Sequence, residues 1–272
     1  MILAVRWLDQ TCVVEAPTAL ARDVAALFPA LMVTEGGHGA PQVRAARRDG
    51  VYVVESREGA ESCHEYVDAV SAMELAVTRH LMASEVRHCH LHASAALIRT
   101  GKAVLGVGAS GAGKSTLAYA WYRMGLPVFG DDVVAVDEGG RLHAFPRPLK
   151  VDAARLREGG EVPEETVAWH THASDAWVDP TRGAGWAAGG ADVAVLAEIR
   201  YVPQREPELT RLSSAEGLGI LLGAVHQTGN QAPGALDRLI RIAEGSRVCR
   251  LEHGDARAAA RLLSALGEEV TG

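Results

Sequence analysis

Gly108-Ala-Ser-Gly-Ala-Gly-Lys-Ser115 is the stretch on which the fold of this chain turns. It has the form G-x-x-x-x-G-K-[ST], and its flanks suit that form: the strand-like run Ala103–Val107 precedes it, and Thr116-Leu-Ala-Tyr-Ala-Trp121 follows with helical spacing. Gly108, Gly111 and Gly113 let the backbone pass through conformations that a Cβ blocks. Successive N–H groups then point inward and cradle anionic oxygens, and the positive end of the following helix faces the same anion. On this reading Gly108, Ala109, Ser110, Gly111, Ala112, Gly113, Lys114, Ser115 and Thr116 hold the phosphates of ATP, Lys114 reaches the β- and γ-phosphates, and Ser115 ligates Mg²⁺. A chance glycine-rich turn would have to reproduce strand, loop, Lys-Ser pair and helix in this order.

The rest of the chain provides a setting for that loop. Its 272 residues, 48% hydrophobic and 22% charged, suffice to bury a sizeable core. A net charge of −7 gives no broad basic footprint, so neither nucleic acid nor an anionic membrane is expected as a partner. Cys12, Cys63, Cys89 and Cys249 are scattered without a CxxC pair and read as free thiols of a reducing compartment. The opening MILAVRWLDQ has too short an apolar run for a signal segment, and no stretch approaches the ~20 apolar residues of a membrane span. The expected location is the cytoplasm.

Working outward, strands and helices alternate, which predicts an α/β layered domain. Residues 1–14 read as a strand and Pro17–Phe28 as a helix, with Leu20, Val24, Leu27 and Phe28 on one face. Val51–Val54 reads as a strand and Tyr66 to about Met82 as a helix. Residues 1–85 thus form a small α+β unit without a chemical motif, serving either substrate recognition or packing. Residues 86–272 form the unit that carries the loop. Its strands are His88–Ile98, Ala103–Val107, the run through Val133–Val136, Asp192–Val202 and Arg247–Leu251. Its helices run from Lys114 to a stop at Gly125, near Ser214–His226, near Gly234–Glu244, and onward from a cap at Asp255. Residues 137–191 are rich in Gly and Pro, and the loops 155–191 are expected to close over a substrate.

Phosphoryl transfer also needs a second metal ligand and a group to deprotonate or orient the nucleophile. Asp131 and Asp132, seventeen and eighteen positions after Lys114, are the nearest candidates, and they end the very next strand. Without the loop, a solvated turn would be the better reading of this pair. With it, the sequence His92-Ala-Ser-Ala-Ala-Leu-Ile98, Gly108-Ala-Ser-Gly-Ala-Gly-Lys-Ser115, Gly125 and Gly130-Asp-Asp132 resembles the catalytic domain of the HPr kinase/phosphorylase family. These bacterial protein serine kinases are related in fold to the ATP-dependent phosphoenolpyruvate carboxykinases. The resemblance covers about residues 88–137. It implies a P-loop kinase domain with a mixed sheet of that type, using ATP and Mg²⁺. Thr116 stands where the family usually has Glu, and Ala93 where it has Gly, which points away from HPr as substrate and from the reverse phosphorylase reaction. The pattern is closer to divergent members found with peptide-maturation enzymes, some of which phosphorylate a serine of a ribosomal precursor peptide. The implied acceptor is a peptide or protein hydroxyl.

The resemblance also implies roles. One of Asp131 and Asp132 is the base and the other holds Mg²⁺; Asp131 is taken as base and Asp132, with Ser115, as metal ligand, the reverse order being the alternative. His92 matches the family's active-site histidine. From the residues themselves, His88, His90 and His92 alternate and would face one way on a strand, a weak pattern for a transition-metal site. Arg147, Lys150 and Arg182 are candidates for the positive charge that a transferring phosphoryl requires, or are solvated cations. His170 and His172 carry no assignment. A small-molecule kinase of the same fold and a non-catalytic nucleotide-binding regulator are the alternatives to a peptide or protein kinase, and assembly into a homo-oligomer is open. Leu212-Ser-Ser-Ala-Glu-Gly217 is not the signature of a transporter ATPase, and no N-K-x-D motif for guanine is present.

Overall fold

The computed structural model describes residues 1–33, 39–152, 166–167, 175–226 and 232–271. It is a mixed α/β structure in which a six-stranded sheet and a mixed eight-stranded sheet share one of their cores. The chain opens with a hairpin, β1 (Ile2–Trp7) and β2 (Gln10–Glu15), rather than the single strand read over 1–14, because Leu8 turns at a φ of 52°. Leu3, Val5 and Trp7 alternate onto the buried face. Helix α1 (Thr18–Ala26), β3 (Met32–Val33), and the meander β4 (Val43–Arg48), β5 (Val51–Ser56) and β6 (Gly59–Cys63) follow. The strand order is β3-β1-β2-β4-β5-β6, with β6 at an edge. Helix α2 (Tyr66–Ser84) covers the sheet with Val70, Met73, Val77 and Leu81. Strand β4 escaped the sequence reading because only the small Val43 and Ala45 of Val-Arg-Ala-Ala-Arg-Arg48 face the core, and β6 because Gly-Ala-Glu-Ser62 is exposed at the sheet edge.

The second sheet contains β7 (Cys89–Leu97), β8 (Ala103–Val107), β9 (Val128–Gly130), β10 (Val133–Val136) and β11 (Leu142–Ala144). After β12 (Leu149–Asp152), β13 (Thr166–Val167) and β14 (Asp175–Val178), which form a separate antiparallel ribbon, it is completed by β15 (Val193–Tyr201), β16 (Glu208–Arg211) and β17 (Arg247–His253). The order is β11-β10-β7-β8-β15-β17-β16, and β9 also pairs with β7. Only the central β8, β15 and β17 are mutually parallel. Covered on both faces, β8 and Val193–Ala197 of β15 read as continuous apolar runs, whereas β17 carries Arg247, Arg250 and Glu252 between its apolar residues. Leu117 and Trp121 of α3 (Lys114–Arg123) and Leu263 of α6 (Ala256–Glu269) pack on Val195 and Ile199. Leu221 of α4 (Ser214–Ala224) and Leu239 of α5 (Ala235–Gly245) pack on Leu105 and Leu196 from the other side. Gly125, at a φ of 79°, ends α3, and the Asp255 carboxylate caps α6 by accepting from Arg257 N–H at 2.7 Å.

Residues 1–85 build a core that the rest of the chain completes. Val133, Ala135, Phe145 and Trp177 of the second part join the cluster built by Trp7, Leu20, Met73 and Leu81. The Trp7 indole N–H donates to the Ala144 carbonyl at 2.8 Å, and its ring meets Phe145 edge-on at 4.5 Å. The Gly/Pro-rich stretch with weak periodicity contains β11, β12 and β14, each too short to show a period. Of the expected lid, 155–165 and 168–174, with His170 and His172, lie outside the described residues. Its later part, 179–191, is stitched to the sheet instead of standing free: Ala187 N–H donates to Val128 O at 2.9 Å and Ala191 N–H to Leu142 O at 3.1 Å. All four cysteines are free and buried. Among the described residues no helix is long and apolar enough to cross a membrane.

The shared core makes a prediction. Trp7→Ala removes a fully buried ring and a buried hydrogen bond, and should cost about 3–5 kcal/mol in urea unfolding. Loss of the two parts in one coincident transition, by far-UV circular dichroism and by tryptophan fluorescence, is the expected behaviour. An early separate transition of the N-terminal part would contradict it.

Candidate active site

The site begins where β8 turns out of the sheet. A Cβ on Gly108 would lie 2.6 Å from the Ile199 carbonyl oxygen and 2.9 Å from Ala112 Cβ, so only glycine lets the loop leave so close to β15. Gly111 and Gly113 sit at φ values of 80° and 95°, which L side chains rarely adopt. Gly113 is the N-cap of α3, so the first N–H groups of that helix open onto the loop's concavity. Lys114 is buried and folds back on the loop, donating from Nζ to the carbonyls of Gly108 at 2.8 Å and Ala109 at 3.1 Å. Burial lowers its pKa, against the pull of Asp132 and Asp131.

The opposite wall is the turn between β9 and β10. A Cβ on Gly130 would lie 2.4 Å from the Val133 carbonyl oxygen, so the tight Gly-Asp-Asp turn requires glycine at its start. The ladder places Val133 opposite His92, and this register brings the His92 ring to Asp132: Nδ1 and Oδ1 are 2.6 Å apart. The neighbouring carboxylate points the other way. Asp131 is 3% exposed, accepts the Lys150 backbone N–H at 3.0 Å and is hydrogen-bonded by the Ser115 side chain.

Adjacent in sequence, the two aspartates differ in charge behaviour. Burial pushes Asp131 up to about 6 and the Asp132 charge adds to this; Arg147, the Lys150 N–H and Ser115 oppose it without prevailing. For Asp132, burial also favours the neutral form, but the hydrogen bond to His92 and the charge of Arg147 outweigh it and hold the group well below the usual carboxylate range. Arg147 is itself buried. Its Nη1 donates to Glu74 Oε1 at 2.6 Å, its Nη2 lies 3.4 Å from Asp132 Oδ2, and the guanidinium stacks 5.5 Å from the Trp177 ring centre. Thr78 on the same helix as Glu74 donates to that carboxylate at 2.9 Å.

Between the two walls is a cavity of about 440 Å³. The loop side contributes Ser110, Gly111 and the run Gly113–Thr116; the other side contributes His92, Asp131 and Asp132, with Arg147, Lys150 and Asp152 completing the lining. Of the residues singled out in the sequence, Gly108, Ala109 and Ala112 support the loop without lining the cavity, and Arg182 lies exposed away from it. The three alternating histidines go to different partners: His88 to Glu85, His90 against the Trp7 ring, His92 to Asp132. Among the described residues no group of three or more His, Cys, Asp or Glu is arranged to hold a metal by itself. The cavity does offer the Ser115 hydroxyl and two carboxylates, an all-oxygen set suited to a hard cation such as Mg²⁺ that completes its shell with water or phosphate.

Two contributors were missed in the sequence. Glu74 falls on the apolar stripe of α2, where a carboxylate at a buried position was the available signal. His226 follows α4; its ring meets His92 edge-on at 5.4 Å, Nε2 lies 3.4 Å from the Asp132 carbonyl oxygen, and burial lowers its pKa. Nothing in the sequence around His226 marks it. No family model and no curated protein matches the chain.

The raised pKa of Asp131 is also a statement about stability. Below about pH 4 the group is protonated in both folded and unfolded chains; between about pH 4 and 6 the folded chain keeps a proton that the unfolded one has released. That contribution is therefore present at low pH and lost as pH rises through the folded pKa. Asp131→Asn should gain about 2–3 kcal/mol relative to the parent between pH 4 and pH 7, since the Asp132 contribution is common to both proteins. Urea titrations at pH 4, 5, 6 and 7 check this, and a stability difference independent of pH would contradict it.

Proposed function

We propose that this chain is an ATP-dependent phosphotransferase of the HPr kinase-like type, moving the γ-phosphoryl group of Mg-ATP to a serine or threonine hydroxyl of a peptide or protein. The observation that carries the reading is the convergence of the Gly108–Ser115 loop and the His92–Asp132 pair on one cavity. On this proposal the loop N–H groups and the α3 N-terminus take the phosphates. Lys114 exchanges its hold on the Gly108 and Ala109 carbonyls for phosphate oxygens. The buried, permanently charged Arg147 and the cavity-lining Lys150 supply positive potential where negative charge develops.

The geometry supports the reverse of the aspartate order taken from the sequence. Asp131 is buried and tied to Ser115, which suits the metal side of the site. Asp132 is the accessible, ionised member, with His92 fixing its carboxylate. Asp132 accordingly takes the acceptor's proton as the hydroxyl oxygen bonds to the γ-phosphorus and the bond to the β,γ-bridging oxygen breaks, its electron pair leaving with ADP. Mg²⁺ held by Ser115 and Asp131 would neutralise charge on the β- and γ-oxygens.

The test is transfer of radiolabel from ATP to pooled serine- and threonine-containing peptides. Asp132→Asn should lose roughly 10²–10⁴-fold in rate while keeping its affinity for ATP. Asp131→Asn should instead lower the apparent affinity for Mg²⁺ and recover part of its rate at high Mg²⁺. If both variants transfer phosphate as the parent does, the mechanism is wrong.

A further inference from the structure

Asp132 and Arg147 line a second cavity as well as the one beneath the loop. The second, about 350 Å³, opens between α2 and the Asp132 turn; Leu75, Met82 and Val133 give it an apolar wall, and His226 lies beside Asp132 at its inner end. Leu75 is 41% exposed, a large apolar side chain in contact with solvent. The cavity does not end at Leu75. Leu75, Glu58 and Arg79 also line a groove of about 270 Å³ that continues between α2 and β6, where Gly59, Ala60 and Glu61 form the other bank.

Three features of this groove specify its occupant. A small alcohol would fill the inner cavity alone, whereas the continuous path past Leu75 suits a chain. Among the described residues strand β6 pairs with β5 alone and is the edge of its sheet, so its outer N–H and C=O groups can hydrogen-bond an added strand. The groove is acidic on balance: Glu58 engages Arg79 at 2.7 Å, and the exposed Glu61 remains beyond that pair.

We propose that this cavity and groove are the acceptor site, taking an extended polypeptide segment that adds to the edge of β6, crosses Leu75 and delivers a serine or threonine hydroxyl to Asp132. The inference rests on the phosphotransferase reading. It adds a substrate class, a hydroxyl residue on an extended segment with a basic side chain toward the Glu61 end. It also gives residues 1–85 a task, since both banks of the outer groove come from them. The hydroxyl proton goes to Asp132 and the phosphoryl group arrives from the loop side, so the two substrates meet across one carboxylate.

Because all four native cysteines are buried, a thiol introduced by Leu75→Cys can be alkylated selectively. The probe is a pool of synthetic peptides, each with one serine between randomised flanks, and the same protein sample is measured before and after alkylation with N-ethylmaleimide. The expected result is phosphorylation of peptides enriched in Lys or Arg on one side. Alkylation should cut kcat/KM for the best peptide by about tenfold or more without shifting the affinity for Mg-ATP. That peptide, added with a non-hydrolysable ATP analogue, should in turn slow alkylation. If peptides are phosphorylated but alkylation changes nothing, the groove is not the acceptor site and the kinase reading stands. If only free serine or other small alcohols are phosphorylated, the acceptor class and the groove both fall. If Mg-ATP does not bind at all, the kinase reading fails and takes the groove with it.

Discussion

A guanidinium buried at the junction of the two sheets organises this protein. Arg147 is 8% exposed, so its charge must be compensated by the protein itself. Compensation comes from Glu74 on α2 and from the turn that carries Asp132, with Asp131 near enough to raise the pKa of the guanidinium. An uncompensated charge at such a place costs several kcal/mol. The position of α2, the segment leading into β12 and the β9–β10 turn are therefore coupled: none can move far without leaving a buried charge alone. This coupling joins residues 1–85 to the candidate active site, and the shared cluster around Trp7 reinforces it.

The second constraint is the tight turn between β9 and β10. It sends two consecutive carboxylates to different partners, so an identical pair is divided between two environments. One is dry and bound to Ser115 and the Lys150 N–H, the other wet and bound to His92. Their pKa values are driven apart by those surroundings rather than by their own chemistry, the pattern by which two like groups take different roles. Gly130 makes the division possible, because any side chain there would drive the turn away from Val133. Gly108 does the same for the loop against β15.

How much of this was legible follows from which forces are local. The loop, its strand and its helix were readable because glycine conformations and helix periodicity are properties of short segments. The helices α1, α2, α4 and α5 were placed to within a few residues for the same reason. The hairpin at Leu8 was not: a positive φ at leucine is imposed by the pairing of β1 with β2, and nothing in Trp-Leu-Asp-Gln announces it. The edge strands β6 and β16 were silent because solvent-facing strands carry polar side chains, and β4 because only Val43 and Ala45 of its six residues reach the core. Within the site, His92 and the aspartates were visible through their spacing to the loop, and Arg147 only as one of three cations. Their partner Glu74 lies forty residues upstream of Lys114, and His226 nearly a hundred downstream of Asp132; only tertiary packing brings them in. The order of the aspartates depends on burial and hydrogen bonding, which spacing does not encode.

The central claim is that the Gly108–Ser115 loop binds the phosphates of a nucleoside triphosphate. Calorimetric titration of the parent protein and of Lys114→Ala with Mg-ATP and with Mg-AMP tests it directly. The account predicts that the parent binds Mg-ATP well and Mg-AMP poorly, and that Lys114→Ala, still folded, loses about tenfold or more in affinity for Mg-ATP. Binding of Mg-AMP as tight as that of Mg-ATP, or an unaltered affinity in Lys114→Ala, would contradict it.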